Sequence, residues 1–296
     1  MVTRRIGPRR VAIATLLGLL LPLGAQQRSN PASMKSFQIP SHGAFLNAFV
    51  YVAEGPGPHP AVVLLHGFPG NERNLDLAQD IRRAGWDVLY FDYRGSWGSP
   101  GDFSFTHAIE DTAAAVDYLR SAPMAQILRL DPARIVLIGH SMGGFLAVQA
   151  AAADPGIVGI GLISAADMGG RIPRPVTKDR EQAAIKALSA GYDRDGMEPL
   201  NGCTPDGLAR EMIANAGSWS FMTKISSLTS RPVLVVTSED AYSRGDQGFA
   251  GALRRAGNSR VSTLHLATDH AYSDQRGPLS SAILRWLATI ASPPMR

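Results

Sequence analysis

Arg134-Ile135-Val136-Leu137-Ile138-Gly139-His140-Ser141-Met142-Gly143-Gly144 is the stretch whose reading decides the fold. Its apolar, β-branched run Ile135 to Ile138 reads as a strand, and the small and apolar run from Phe145 to Ala153 reads as a helix. Strand, sharp turn and helix form the setting of a nucleophile elbow. A serine on such a turn has a strained backbone. The residues two positions before and after it must be small, because strand and helix pass close together there. Gly139 and Gly143 have no Cβ and meet that demand. The turn lifts the Ser141 hydroxyl clear of the sheet and leaves N–H groups at the start of the helix free to face a negative charge. A Gly-x-Ser-x-Gly pattern is short, and a chain with 30 glycines also produces it by chance. Its weight therefore depends on its surroundings.

Upstream, Ser36 to Pro40 and Phe45 to Ala53 read as two strands around a turn at Ser41-His42-Gly43. Glu54 to Pro60, rich in Gly and Pro, reads as a loop. Ala61-Val62-Val63-Leu64-Leu65 is a continuous apolar run, as in a strand buried on both faces, and it ends in His66-Gly67-Phe68-Pro69-Gly70. Asn71 to Ala84 reads as a helix stopped by Gly85, and Asp87 to Phe91 as another strand. Asp92 to Gly101 reads as a tight loop held by an Asp92–Arg94 contact. It has neither a P-loop lysine nor a G-x-G-x-x-G opening, which excludes a phosphate cradle. Ser104 to Ser121 reads as a helix, and Asp131-Pro132 as the turn into the elbow strand.

Downstream, Ile157 to Ser164 reads as a short strand. Met168 to Leu228 then breaks the alternation. It carries Pro173, Pro175, Pro199 and Pro205, with helical pieces near 180–190 and 206–216, and reads as an inserted cap. Pro232 to Thr237 resumes the sheet, followed by a helix over Gln247 to Ala256, a strand over Val261 to Leu266 and a last helix over Ser280 to Ile290. This order predicts a mostly parallel central sheet with helices on both faces. We read residues 26–296 as one domain, with a small helical cap inserted at about 168–228.

The composition, 45% hydrophobic and 18% charged, is that of a globular chain and excludes disorder or a fibre. The basic pI of about 9.4 invites a nucleic-acid or membrane surface, but the position of the charge argues against it. Arg4, Arg5, Arg9 and Arg10 precede the apolar run Val11 to Leu23 and the small residues Gly24-Ala25. That is the order of a secretory signal peptide over residues 1–25, with cleavage near Ala25. Its removal would take the net charge from +4 to zero. The expectation is a periplasmic or secreted mature protein, with no membrane span and no nucleic-acid partner. Cys203 is the single cysteine, so no internal disulfide and no cysteine metal cluster can form.

A serine needs a base beside it and a group that orients the base. In this topology the crevice lies at the carboxyl ends of the strands. Asp240 lies just past the strand ending at Thr237, and His270 just past the strand ending at Leu266. Glu239, Asp246 and Asp167 are the rival acids, and His265 is the rival histidine. Ser141, Asp240 and His270 follow one another in the chain order Ser-Asp-His.

With these residues the chain resembles the α/β-hydrolase superfamily, in particular its bacterial serine esterases and its dienelactone-hydrolase-like or prolyl-oligopeptidase-like members. The resemblance rests on His66 to Gly70, Asp92 to Gly101, Gly139 to Gly144, Asp240 and Asp269-His270, and spans residues 61–270. One departure is Thr237, where members commonly carry a glycine three residues before the acid. The resemblance implies an α/β-hydrolase fold with Ser141 as nucleophile, His270 as base and then acid, and Asp240 as orienter. Oxyanion donors would be the N–H groups of Met142 and Phe68, since Pro69 has none. His66 and His140 are read as shaping their turns. Tyr192, Trp219, Phe221 and Met222 are cap residues that either line an acyl pocket or only pack the cap.

The function so implied is a serine hydrolase cleaving carboxylic esters through an acyl-enzyme, acting on a small-molecule or short acyl substrate without metal or organic cofactor. A peptidase or acyltransferase on the same residues is the alternative, and a non-catalytic binding protein the reading from a different class. The sequence does not set the oligomeric state or the acyl and alcohol groups.

Overall fold

The computed structural model describes residues 2–3, 30–172 and 178–291. Apart from residues 2 and 3, the expected signal peptide lies outside the described residues, as do Pro173 and Pro175. Among the described residues the apolar runs pair into one eight-stranded sheet. Its strands are β1 (Ser33–Ser41), β2 (Ala44–Val52), β3 (His59–Leu65), β4 (Asp87–Phe91), β5 (Leu130–His140), β6 (Ile157–Ile163), β7 (Val233–Thr237) and β8 (Val261–His265), in the spatial order β1-β2-β4-β3-β5-β6-β7-β8. β1, β2 and β4 pair antiparallel, and all pairings from β4 through β8 are parallel.

The continuous apolar runs follow from burial on both faces. Ala61, Val63, Leu65, Ile135 and Leu137 belong to one core, under α2 (Phe105–Arg120), α4 (Met142–Ala153) and α8 (Ser243–Arg255). Val62, Leu64, Val136 and Ile138 belong to the other, under α1 (Leu75–Arg83) and α9 (Arg276–Ala291). Successive strand residues alternate between the two layers, so each position must be apolar. The cap carries α5 (Lys178–Asp195), α6 (Pro205–Trp219), a 3-10 turn at Phe221–Lys224 and the single turn α7 (Ile225–Leu228), which returns the chain to β7. Thr204 caps α6 by accepting the Gly207 N–H at 3.1 Å, with Pro205 in the first turn, where a missing N–H costs nothing.

Several boundaries differ from the sequence expectation. α1 begins at Leu75, not Asn71. Asn74 is left-handed (φ 54°) and its N–H is taken by Glu72 Oε1 at 2.6 Å, so residues 71–74 form a loop beside the site. Asp131-Pro132 is not a turn but part of β5. The pairing with β3 shifts register between His59–Leu130 and Ala61–Ile135, and Pro132, without an N–H to pair, sits in that irregular stretch. A short helix α3 (Ala122–Leu128), carrying Pro123 in its first turn, has no counterpart in the sequence reading. α8 and α9 each begin four residues earlier than expected.

The loop after β4 is held differently from the expected Asp92–Arg94 contact. Asp92 accepts the Tyr90 hydroxyl at 3.1 Å. Arg94 turns instead to α2, where its Nε meets Asp111 Oδ1 at 2.6 Å and its own N–H meets Asp111 Oδ2 at 2.8 Å. Ser41 at the end of β1 donates to the same carboxylate at 2.6 Å. Asp111 is fully buried, so the pair is desolvated and saturated with donors. Replacing Asp111 with alanine would take the partner from Arg94 Nε and from the Arg94 N–H, while its terminal nitrogen keeps Glu110 and His107 O. The expected outcome is a loss of about 1–3 kcal/mol, read as a lower urea midpoint with an unchanged m-value.

Candidate active site

Ser141 stands between β5 and α4 with φ 57° and ψ −118°, a conformation that non-glycine residues rarely adopt. Backbone hydrogen bonds hold it. Its N–H donates to Ile163 O at 2.9 Å, and its carbonyl accepts from Ala166 at 3.0 Å, Gly144 at 3.0 Å and Phe145 at 3.4 Å. The crossing tolerates no side chains on its flanks. A Cβ on Gly139 would lie 2.0 Å from Gly143 O, and one on Gly143 would lie 2.1 Å from Leu65 O. Met142 is the first residue of α4, so its N–H has no acceptor within the helix and faces outward with the positive end of the helix dipole.

The loop after β3 lies against the elbow, with the Cβ position of Gly67 only 3.1 Å from Ser141 Cβ. His66 shapes that loop. Its Nδ1–H donates to Gly67 O at 2.8 Å, and Tyr93 donates its hydroxyl to His66 O at 3.1 Å. Trp97 donates its ring N–H to Pro69 O at 2.8 Å, and the Arg73 guanidinium stacks 4.3 Å from the Trp97 ring centre. These contacts fix Phe68 at the edge of the cleft, where its ring meets Phe105 and Tyr192.

Of the candidate acids, Asp240 alone pairs with His270, Nδ1 to Oδ2 at 2.8 Å. Asp240 also accepts Ser238 Oγ at 2.9 Å and the N–H groups of Tyr242 and Ser243 at 2.9 and 3.1 Å. Burial pushes its carboxyl up, but the bonds from His270, Ser238 and Tyr242 outweigh it and leave the group below the ordinary value, as a carboxylate. The rivals are engaged elsewhere. Asp167 accepts the N–H groups of Gly170 and Phe221, Glu239 meets His265, and Asp246 is buried in α8 accepting Ala165 N–H at 2.8 Å. His265 spans Thr237 and Glu239 on the exposed edge strand, away from Ser141.

A carboxylate on Nδ1–H leaves the Nε2 lone pair as the basic end of the His270 ring. Ser141 and His270 line one cleft of about 310 Å³ together with Gly67, Phe68, Asn71 and Glu72. Among the described residues no hydrogen bond joins Ser141 Oγ to the imidazole, and such bonds commonly tighten only when substrate is present. The ring is held from two sides. His140 donates its Nε2–H to His270 O at 2.9 Å with the rings 4.6 Å apart, and the Tyr242 ring lies 5.2 Å away.

Sequence reasoning missed the support beneath this pair. Tyr272 Oη and Ser164 Oγ lie 2.8 Å apart, Ser164 and Ser238 Oγ 3.0 Å, and Ser238 continues to Asp240. Tyr272 also donates to Val236 O at 3.1 Å. The signal available was position, because Ser164 and Ser238 directly follow β6 and β7. On the far side of Ser141 lies a smaller cavity of about 60 Å³ bounded by Phe68, Phe105, Met168, Tyr192, Met212 and Tyr242. Of the four cap residues singled out, only Tyr192 lines it. Trp219 packs on Phe105 and Phe145, Phe221 packs on Phe249, and Met222 is exposed. Among the described residues, no group of three or more His, Cys, Asp or Glu is placed to hold a metal, and no helix is long and apolar enough to cross a membrane.

A mostly parallel sheet with an elbow serine and an Asp–His pair on its carboxyl edge defines a class of fold and site shared by many hydrolases. The model of the alpha/beta hydrolase family matches residues 62–282, and the chain belongs to that family. It is 37% identical over 108 residues to the sn-1-specific diacylglycerol lipase ABHD11 of Xenopus tropicalis, covering 36% of this chain and 31% of that one. Among solved structures it resembles a lipase in an open form (TM-score 0.68, 16% identity, 88% of this chain and 100% of that one). It also resembles a hyperthermophilic esterase from Pyrobaculum calidifontis (TM-score 0.63, 20% identity, 88% and 87%). The chain spans less than two thirds of the length of the curated relatives it matches.

His66 and His140 make stability depend on pH. Burial depresses both, from the ordinary 6.5 to about 4 for His66 and about 3 for His140, where the neighbouring His270 adds to the effect. Below pH 6.5 the unfolded chain takes up protons that the folded one refuses, so their contribution is present above that pH and lost as the pH falls. Burial pushes Asp87 up to about 7 and Asp92 up to about 6, which acts in the opposite sense. The histidine effect is therefore read as a difference. His140→Asn should show a shallower fall in melting temperature than wild type between about pH 7 and about pH 4.

Proposed function

We propose that the chain is a serine hydrolase that cleaves carboxylic esters through an acyl-enzyme. The observation that carries this reading is the 2.8 Å Asp240–His270 bond, with His270 lining the same cleft as Ser141. The named relatives, a lipase and an esterase among them, support it.

In this reading Ser141 Oγ attacks the ester carbonyl carbon as its proton passes to His270 Nε2. The carbonyl oxygen becomes an oxyanion, held by the N–H groups of Phe68 and Met142. The bond to the leaving oxygen breaks, and that oxygen takes the proton from Nε2. Water then attacks the acyl-enzyme while giving its proton to the same nitrogen. The serine–acyl bond breaks, Ser141 recovers the proton and the carboxylic acid departs. Asp240 fixes the tautomer and stabilises the transient imidazolium. Peptidase and acyltransferase chemistry would use the same groups. A non-catalytic binding protein would have no use for the Asp240–His270 pair beside a strained serine. The Arg-rich, then apolar N-terminus supports export of the mature chain.

The test is p-nitrophenyl acetate hydrolysis with fluorophosphonate labelling in parallel. Ser141→Ala should abolish both. Asp240→Asn should keep the fold and lower kcat by about 10³–10⁴-fold, through loss of the correct tautomer. A folded wild type that neither hydrolyses esters nor takes the probe would overturn the reading. Labelling without ester turnover would move it to a peptidase or acyltransferase.

A further inference from the structure

The two cavities beside Ser141 are unequal, and one residue assigns their roles. The group that protonates the leaving oxygen must face it. His270 lines the cleft of about 310 Å³ and does not line the cavity of about 60 Å³. Ser141 and Phe68 line both, so the alcohol lies on the histidine side and the acyl chain on the other. From this geometry we propose that the enzyme is selective for short acyl groups, about two or three carbons beyond the carbonyl, and accepts bulky alcohols. The proposal rests on the ester-hydrolase reading of the same site.

The size follows from packing. A cavity of about 150 Å³ lined by apolar side chains takes a benzene ring of six carbons. A cavity of about 60 Å³ therefore holds two or three. Its inner end is closed by Phe105, Met168 and Met212, all buried. Tyr192 closes the side, its ring against Phe68 and Phe105 at 5.2 and 5.7 Å, and donates its hydroxyl to Met212 Sδ at 3.0 Å. Arg171 and Asp195 stand at the exposed mouth, so a longer chain would have to displace Met212 or pass between these charges. The histidine side has no such wall. It opens past Gly70, Asn71, Glu72 and Asp269, where a large alcohol remains partly in solvent.

The experiment is a matrix of p-nitrophenyl esters from acetate to dodecanoate and of acetates of alcohols from ethyl to naphthyl. Wild type, Met212→Ala and Tyr192→Phe are compared, with fluorophosphonate labelling of each as the check on an intact site. Wild-type kcat/KM should peak at propionate to butyrate, fall by at least about tenfold by octanoate, and vary little with alcohol size. Met212→Ala should raise the hexanoate-to-acetate ratio by about tenfold or more. Tyr192→Phe, which frees the Met212 sulfur while keeping the ring, should raise it less. A wild-type optimum at octanoate or longer, or a Met212→Ala that labels normally with an unchanged chain-length profile, overturns the assignment while leaving the esterase reading standing. Absence of both ester turnover and labelling in folded wild type overturns both.

Discussion

The distance between a strand and the helix that follows it governs everything else in this protein. β5 must turn directly into α4, and the helix must pass within van der Waals contact of both β5 and the end of β3. At Gly139 and Gly143 an added methyl would fall about 2 Å from backbone atoms, closer than any repacking can relieve. The contact is backbone on backbone, so no side-chain rotation offers relief. It sets the height of Ser141 above the sheet, aims the first N–H of α4, and brings the loop after β3 alongside. Each other part of the site is positioned relative to that crossing.

Around it the structure answers a question of polar accounting. Strained turns and charged groups at the sheet edge need partners, and they find them in one another. Arg94 and Asp111 tie the β4 loop to α2, and Ser41 completes the carboxylate. The hydroxyls of Tyr272, Ser164 and Ser238 lie in a row beneath Asp240, with Ser238 donating to it. Tyr272 and His270 share a loop, and Ser238 and Asp240 share another. A shift of either loop therefore disturbs the acid and the imidazole together. Buried networks of this kind are energetically coupled, and their members do not contribute independently.

The fold was legible because its signals are local. Continuous apolar runs mark strands covered on both faces, and the glycine spacing marks the elbow. Asp240 and His270 were legible because each directly follows a strand on the same edge and completes the Ser-Asp-His order; the structure adds the 2.8 Å contact between them. The Arg94–Asp111 pair was misread because the acid nearest Arg94 in sequence, Asp92, is not the one that meets it in space, Asp111. Asp111 nevertheless carried a signal. It lies on the same helical face as Ala108, Thr112 and Ala115, all buried, and an acid on such a face needs a cation. The pocket wall was the least readable part. Phe105, Met168, Tyr192 and Met212 come from four separate segments with no shared period, and only the folded chain brings them together.

The cap enters the chain between β6 and β7, while Ser141, Asp240 and His270 stand on loops anchored to the sheet. Residues that bound the small cavity from the cap, such as Tyr192 and Met212, make no hydrogen bond to the Asp240–His270 pair. The fold thus divides its sequence into a part that holds Ser141, Asp240 and His270 and a part that mainly shapes the cavity beside them. Over evolutionary time the second part can drift while the first is held constant. One scaffold can thereby give rise to descendants that differ in what they accept and not in how they act.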